Sequence, residues 1–154
     1  MIYEYPALFY DDEDKVAFHF YDREDWFLCG DNIFDAIEMA QDVLNAALLN
    51  LEREGKEIPP ATPLEKVAVK PLELVKMIKA DTDTYAASLA TLNEREQILQ
   101  ADNPIRELLN RRHLKISQLA KLLDAPYRTV QDWSLGKSAP PKWVLNLILD
   151  KVLA

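Results

Sequence analysis

The sequence predicts an α+β chain: an antiparallel sheet of three to four strands with one long helix on a face, followed by an all-α domain. Three observations predict it. The first thirty residues alternate apolar and polar side chains in short runs separated by acidic loops, a period of two. Directly behind them, one apolar stripe recurs every three to four residues from Ile33 to Leu51. Beyond about residue 100 the charge balance changes sign and the chain breaks into short helical segments punctuated by proline and glycine.

The strands come first. Tyr3, Tyr5, Ala7 and Phe9 alternate with a second set, Asp11-Asp12-Glu13-Asp14 forms a polar loop, and Val16, Phe18 and Phe20 alternate again. An acidic loop between two alternating runs is a hairpin. A second polar turn at Asp22–Asp25 leads to a third run, Trp26 to Cys29, making an antiparallel meander. Gly30-Asp31-Asn32 stops the strand and offers Asp or Asn as a helix N-cap. Ile33, Ile37, Ala40, Leu44, Ala47 and Leu51 then form the helical stripe, and Gly55 sits where a C-terminal glycine belongs. The stripe needs a sheet to cover.

Ile58-Pro59-Pro60-Ala61-Thr62-Pro63 reads as a rigid loop, and Leu72 to Ala80 as a further strand with helix as the competing reading. Asp81-Thr82-Asp83 offers a second N-cap ahead of Tyr85, Leu89 and Leu92, and the polar stretch from Asn93 to Asp102 reads as a helical connector. Asn103-Pro104 then opens a new element, a cap followed by proline at the first helical position. The expected domains are residues 1–92 and 104–154, joined by 93–103.

Short helices fill the second domain. Pro104 to Arg112 turns Ile105, Leu108 and Leu109 inward; Gln118 to Leu123, capped by Ser117, buries Leu119, Ala120 and Leu123. Tyr127 to Leu135 buries Val130 and Trp133, and Gly136 ends it. A closing helix carries Trp143, Leu145, Leu147, Ile148 and Val152. None is long enough to persist alone, so they share one core.

The apolar fraction of 49% excludes wholesale disorder. One cysteine excludes an internal disulfide, and with only two histidines a zinc site built from this chain alone is not expected, nor any cofactor. With no basic-then-apolar leader and no apolar run of membrane-spanning length, a cytoplasmic protein without a membrane partner is expected. Residues 1–100 carry 9 Lys/Arg against 21 Asp/Glu, a balance of −12, whereas residues 101–154 carry 9 against 5, a balance of +4. One half therefore suits a basic partner and the other an acidic one.

The run ISQLAKLLDAPYRTVQDWSLGK resembles the helix-turn-helix of the XRE/lambda-repressor-like superfamily. Ile116-Ser117-Gln118 corresponds to the entry of the second helix, Leu119-Ala120 to the small buried pair at the helix crossing, Thr129-Val130 and Trp133 to the inner face of the recognition helix, and Gly136-Lys137 to its end. The resemblance implies a helix laid in the major groove of operator DNA. Carried over by position, Tyr127, Arg128 and Gln131 face bases, while Gln118, Thr129 and Lys137 hold phosphates. Two positions depart from the pattern. Asp124 stands where glycine is usual, and Asp132 puts a carboxylate on the outer face of the recognition helix.

The N-terminal order of strand, acidic loop, strand, strand, Gly-Asp, long helix, Ile-Pro and strand resembles the HicB-like antitoxin domain, a partial ribonuclease-H-like fold. Tyr5-Pro6-Ala7, Gly30-Asp31 with IFDAIEMAQDVL, Ile58-Pro59 and Asp81-Thr82-Asp83-Thr84-Tyr85 carry it. The usual proline-glycine-cysteine segment before the third strand is replaced by Arg23-Glu24-Asp25-Trp26. The resemblance implies a type II antitoxin that neutralises a small basic ribonuclease toxin, HicA, and represses their shared operon as a dimer or tetramer. The alternative is a stand-alone helix-turn-helix regulator whose N-terminal domain oligomerises or senses another ligand. No enzyme is expected. Carboxylate-bound metal catalysis needs converging side chains, whereas Asp11 to Asp14 are adjacent in a loop and Glu38 and Asp42 lie on the wet side of a helix. His19 reads as a packed or surface residue, and Cys29 as a small buried one.

Overall fold

The computed structural model describes residues 1–154. The chain divides into two compact units, Met1–Ala87 and Ser88–Ala154, the boundary falling inside a helix. No helix is long and apolar enough to cross a membrane.

In the first unit, β1 (Ile2–Asp12), β2 (Lys15–Phe20), β3 (Arg23–Gly30) and β4 (Leu74–Asp81) form one antiparallel sheet in the order β3-β2-β1-β4. Helix α1 (Ile33–Arg53) covers one face. The alternation expected of β1 and β2 is present: Tyr5, Ala7, Phe9, Phe18 and Phe20 are buried toward α1. The register pairs Ala7 with Phe20 and Phe9 with Phe18, so the phenyl rings of Phe9 and Phe18 lie 5.8 Å apart. Such pairs add about 0.5–1.5 kcal/mol to the burial of their area.

Helix α1 starts where the sequence placed its cap. The Asn32 side chain accepts from the Asp35 amide at 2.9 Å, and the Asp35 carboxylate accepts from the Asp31 amide at 2.9 Å, a reciprocal arrangement that satisfies two free donors. The buried stripe is Ala36, Ala40, Leu44 and Leu48, with Ile33, Ile37, Ala47 and Leu51 only partly buried on its flanks. The expected stripe was thus rotated: two alanines at its centre bring the helix close to the sheet, and the bulkier residues sit at the edges.

Three further expectations are corrected. Residues 23–25 belong to β3, with the register slipping between His19 and Phe20, and the turn is confined to Tyr21-Asp22. The fourth strand begins at Leu74, because Leu72 takes a left-handed backbone (φ 68°) in the preceding turn and is 98% exposed. Cys29 is exposed, since it faces away from α1 on an edge strand with no neighbour beyond it.

The loop after α1 is tied back to the sheet. The Tyr5 hydroxyl donates to the Pro59 carbonyl, and Asp22 accepts from the Thr62 amide at 3.0 Å and hydroxyl at 2.5 Å. In the last turn of α1, Glu52 accepts from the Tyr3 hydroxyl at 2.7 Å and from Thr82 at 3.0 Å. The bond to Glu52, then desolvation, pushes the Tyr3 phenol up to about 12. A raised folded value means that the protonated phenol stabilises the fold fully below the unfolded value of about 10, and that this contribution is lost as pH rises through the folded value. Thermal unfolding followed from neutral to strongly alkaline pH should therefore decline less steeply in Tyr3→Phe than in the parent. Parallel curves would show that the bond carries no linkage.

The second unit holds the C-terminal part of α2 (Thr82–Gln100), then α3 (Pro104–Arg112), α4 (Ile116–Leu123), α5 (Tyr127–Leu135) and α6 (Lys142–Leu153). Residues 93–100, expected as a connector, continue α2, and Ile98 is fully buried in the core of this unit. Asn103 caps α3 by accepting from the Arg106 amide at 3.1 Å, with proline following. Helix α4 begins two residues earlier than expected, with Lys115 rather than Ser117 at the cap. Leu119, Ala120, Val130, Ile148 and Leu149 close the core, but Trp143 and Leu147, expected inside, are 67% and 57% exposed.

Candidate functional site

The short link between α4 and α5 is built from three residues. Asp124 adopts the left-handed region (φ 52°, ψ 42°), which a short polar side chain tolerates better than most. The Ala125 amide returns to the Ala120 carbonyl at 2.9 Å, closing the end of α4. Pro126 (φ −59°, ψ 137°) then delivers the chain into α5 without a side-chain cap. The first residues of α5, Tyr127 and Arg128, are consequently exposed at the helix start.

Periodicity distributes the rest. Val130 and Ser134, four apart, are buried, and Trp133 is half-buried beside them. Arg128 falls on the opposite side, Gln131 is half-buried three residues on, and Tyr127 is exposed at the open start of the helix. Thr129 is half-buried, and Asp132 lies one turn after Arg128, half-buried as well. Gly136 ends the helix in the left-handed region (φ 77°), and exposed Lys137 follows, its amide bonded to the Asp132 carbonyl at 3.0 Å. Gln118 is exposed in the first turn of α4; its Oε1 accepts from the Lys115 amide at 2.8 Å, which leaves the Nε2 end without an intrachain partner. All six positions expected to face nucleic acid are thus at least partly exposed, five of them on or immediately after α5.

The cations of this unit divide into two groups. Arg95 pairs with Asp150, Arg111 with Glu107 at 2.7 Å, and Arg112 with Glu94 at 2.7 Å, while Arg106 donates to the Ser134 carbonyl at 3.1 Å. Arg128 is the one arginine of Ser88–Ala154 with no intrachain acceptor, and Lys137 has none either. Arg128 and Lys137 thus place free positive charge at the two ends of α5, where the half-buried Asp132 opposes it, and Lys115, Lys121, Lys142 and Lys151 elsewhere in the unit are likewise exposed without an ion pair.

A second feature, in the first unit, was not expected as a site from sequence. The sheet face turned away from α1 carries Leu8, His19 and Phe27 in register, Leu8 opposite His19 and His19 opposite Phe27. Two adjoining clefts of about 420 and 490 Å³ open over this face, sharing His19, Lys70 and Glu73. The Tyr10 ring lies 5.9 Å from the His19 ring at one margin. Sequence offered a weak signal: His19 lies between buried Phe18 and Phe20, and so must point to the other face. Arg23-Glu24-Asp25-Trp26 begins β3, where Arg23 holds Asp25 through two bonds of 2.9 and 2.7 Å and stacks 4.8 Å from the Trp26 ring centre. That pairing keeps the Asp25 carboxyl below the usual carboxylate range.

Side chains of the type that bind metals do not converge: no group of three or more His, Cys, Asp or Glu lies close enough to hold an ion. The residues of Asp11–Asp14 are all exposed around the β1–β2 turn, and Glu38 and Asp42 are exposed on α1.

No protein-family model and no curated protein matches the chain. Among solved structures, it is similar to a toxin-antitoxin complex from Streptococcus pneumoniae, at 25% identity over 55% of this chain and 73% of that one, with a TM-score of 0.49. It is also similar to a HicA3 and HicB3 toxin-antitoxin complex, at 18% identity over 51% of this chain and 99% of that one, with a TM-score of 0.44. The N-terminal domain of the Burkholderia pseudomallei antitoxin HicB aligns at 19% identity over the same shares, with a TM-score of 0.46.

Proposed function

We propose that this chain is the antitoxin of a HicAB-like type II toxin-antitoxin pair, neutralising a small basic ribonuclease toxin through its N-terminal domain and repressing its own operon through its C-terminal helices. The observation that carries the reading is the opposed chemistry of the two units. Met1–Ala87 holds 8 Lys/Arg against 19 Asp/Glu, whereas Ser88–Ala154 holds 10 against 7, with its uncommitted Arg128 and Lys137 at the ends of one exposed helix. An acidic sheet unit attracts a basic protein, and a helix carrying Tyr127, Arg128 and Gln131 suits base edges in a major groove.

The sequence resemblance supports both halves. Gly30-Asp31, Ile58-Pro59 and Asp81-Thr82 stand at the joints between elements that the HicB-like order requires. The α4–turn–α5 segment carries the helix-turn-helix pattern. In this reading residues 1–92 bind toxin, residues 104–154 bind DNA, and 93–103 join them. Because the positive excess of one copy is small, 10 Lys/Arg against 7 Asp/Glu in its second unit, operator binding requires a dimer or tetramer, which doubles the phosphate contacts.

The test is co-expression with the protein encoded by the adjacent reading frame. The expected result is that a short basic protein arrests growth alone, co-purifies with this chain and loses its toxicity in its presence. Absence of such a frame, or no rescue, would remove the antitoxin reading and leave a stand-alone transcriptional regulator.

A further inference from the structure

We infer that the open face of the sheet, opposite α1, is the surface on which the basic partner docks, and that Glu73 receives one of its lysine or arginine side chains. The inference rests on the antitoxin reading and specifies its surface. It begins from an unpaired oxygen: Glu73 Oε2 is buried and has no hydrogen-bond partner within the chain. An orphaned buried carboxylate oxygen is rare in folded proteins because it forfeits water without replacement. Glu73 lines both clefts of the open face, so the carboxylate that bears the orphan borders the surface on which a partner would arrive.

The surroundings select the class of that group. Asp11, Glu24 and Glu73 line the clefts against a single ammonium, Lys70, which forms no ion pair with any of them. The surface is therefore anionic, and the unit that carries it is strongly acidic; a nucleic acid is repelled and a basic protein attracted. The rim is apolar and aromatic. Tyr10 is 36% and Phe27 64% exposed, and with Glu24, His19 and Lys70 they border one continuous depression. Charged groups next to exposed aromatic side chains are where protein interfaces concentrate their binding energy. On the other side of the unit, Glu38 and Asp42 of α1 are equally acidic but sit on a convex helix without a cleft, which makes them a matched control.

The experiment measures binding of the full chain to the short basic protein encoded beside it, by calorimetry, for the parent and for Glu73→Gln, Phe27→Ala and Glu38→Gln/Asp42→Asn. Glu73→Gln keeps the shape and removes the charge, so affinity should fall by about tenfold or more while the melting temperature of the free chain stays level or rises. Phe27→Ala, at a position 64% exposed, should weaken binding comparably. The α1 double variant should bind as the parent does. Unchanged affinity in Glu73→Gln and Phe27→Ala, with loss in the α1 variant, would overturn the surface and leave the antitoxin reading standing. A drop in melting temperature of free Glu73→Gln would give that residue a structural role and overturn its assignment. A parent chain that fails to bind the basic protein would overturn both.

Discussion

Replacing Gly30 with alanine should cost the first unit about 3 kcal/mol, lowering its melting temperature by roughly 10–20 °C. A Cβ at this position would lie 2.5 Å from the Ala36 amide nitrogen, 2.9 Å from the Ala36 Cα and 2.9 Å from the Asp35 carbonyl carbon. All three are backbone atoms in the first turn of α1, so no flexible side chain can yield. The helix can retreat only by breaking its own start, where the Asn32 side chain accepts from the Asp35 amide, the Asp35 carboxylate accepts from the Asp31 amide, and the Ala36 amide bonds the Asn32 carbonyl at 2.9 Å. Gly30 also pairs with Val16, so the strand cannot retreat without loosening the sheet. Against a total stability of about 5–15 kcal/mol, this loss is large. Amide exchange should quicken first in β3 and the start of α1. Gly55→Ala offers a contrast, because its φ is +65° but nothing lies within 4 Å. There the cost is conformational alone, about 1 kcal/mol. Equal stability of parent and Gly30→Ala would mean that α1 does not approach the strand this closely.

The same glycine shows what was legible in the sequence. Gly30-Asp31-Asn32 was readable as a strand stop and cap because both roles depend on residue type within a few positions. So were Asn103-Pro104, Gly136 and the span Tyr127–Leu135, all set by local punctuation. What was not readable is the distance between elements. Counting bulky residues put Ile33 and Ile37 at the centre of α1, whereas Ala36 and Ala40 occupy it, because small side chains are what allow the helix to sit against Gly30. Cys29 looked like a core residue until the strand order made β3 an edge.

The two candidate surfaces differ in the same way. The DNA-facing set lies within twenty residues of sequence, so spacing alone brought Gln118, Tyr127, Arg128 and Gln131 into view. The clefts on the open face join residues from β1, β2, β3 and the loop before β4, which only the register unites. Glu73, following a proline and a left-handed leucine, reads as an ordinary surface carboxylate in one dimension. The same applies to the free and committed arginines: nothing in the spacing of Arg95, Arg106, Arg111 and Arg112 distinguishes them from Arg128, yet only the last is without an acceptor.

That distinction sets the result expected when the proposed DNA contacts are removed. In a mobility-shift titration of the chain on its own promoter, Arg128→Ala should weaken specific binding by about 1–3 kcal/mol per copy, close to abolition in a dimer, while leaving binding to unrelated DNA much less affected. The reason is that a guanidinium at the exposed start of α5, with no intrachain partner to lose, transfers its whole effect to a base edge. Gln131→Ala should act in the same sense and more weakly. Lys137→Ala should instead lower specific and non-specific binding alike and flatten the salt dependence by about one unit of slope, the signature of a phosphate contact. Arg111→Ala, whose charge is already neutralised by Glu107, should change neither. Asp132 gives the opposite sign. Lying one turn after Arg128, its carboxylate opposes phosphate, and Asp132→Asn should tighten non-specific binding. If it loses affinity for the promoter alone, Asp132 reads a cytosine amino group and belongs to the contact set. Retention of full affinity by Arg128→Ala and Gln131→Ala together would remove α5 from the DNA interface, whatever the rest of the chain does.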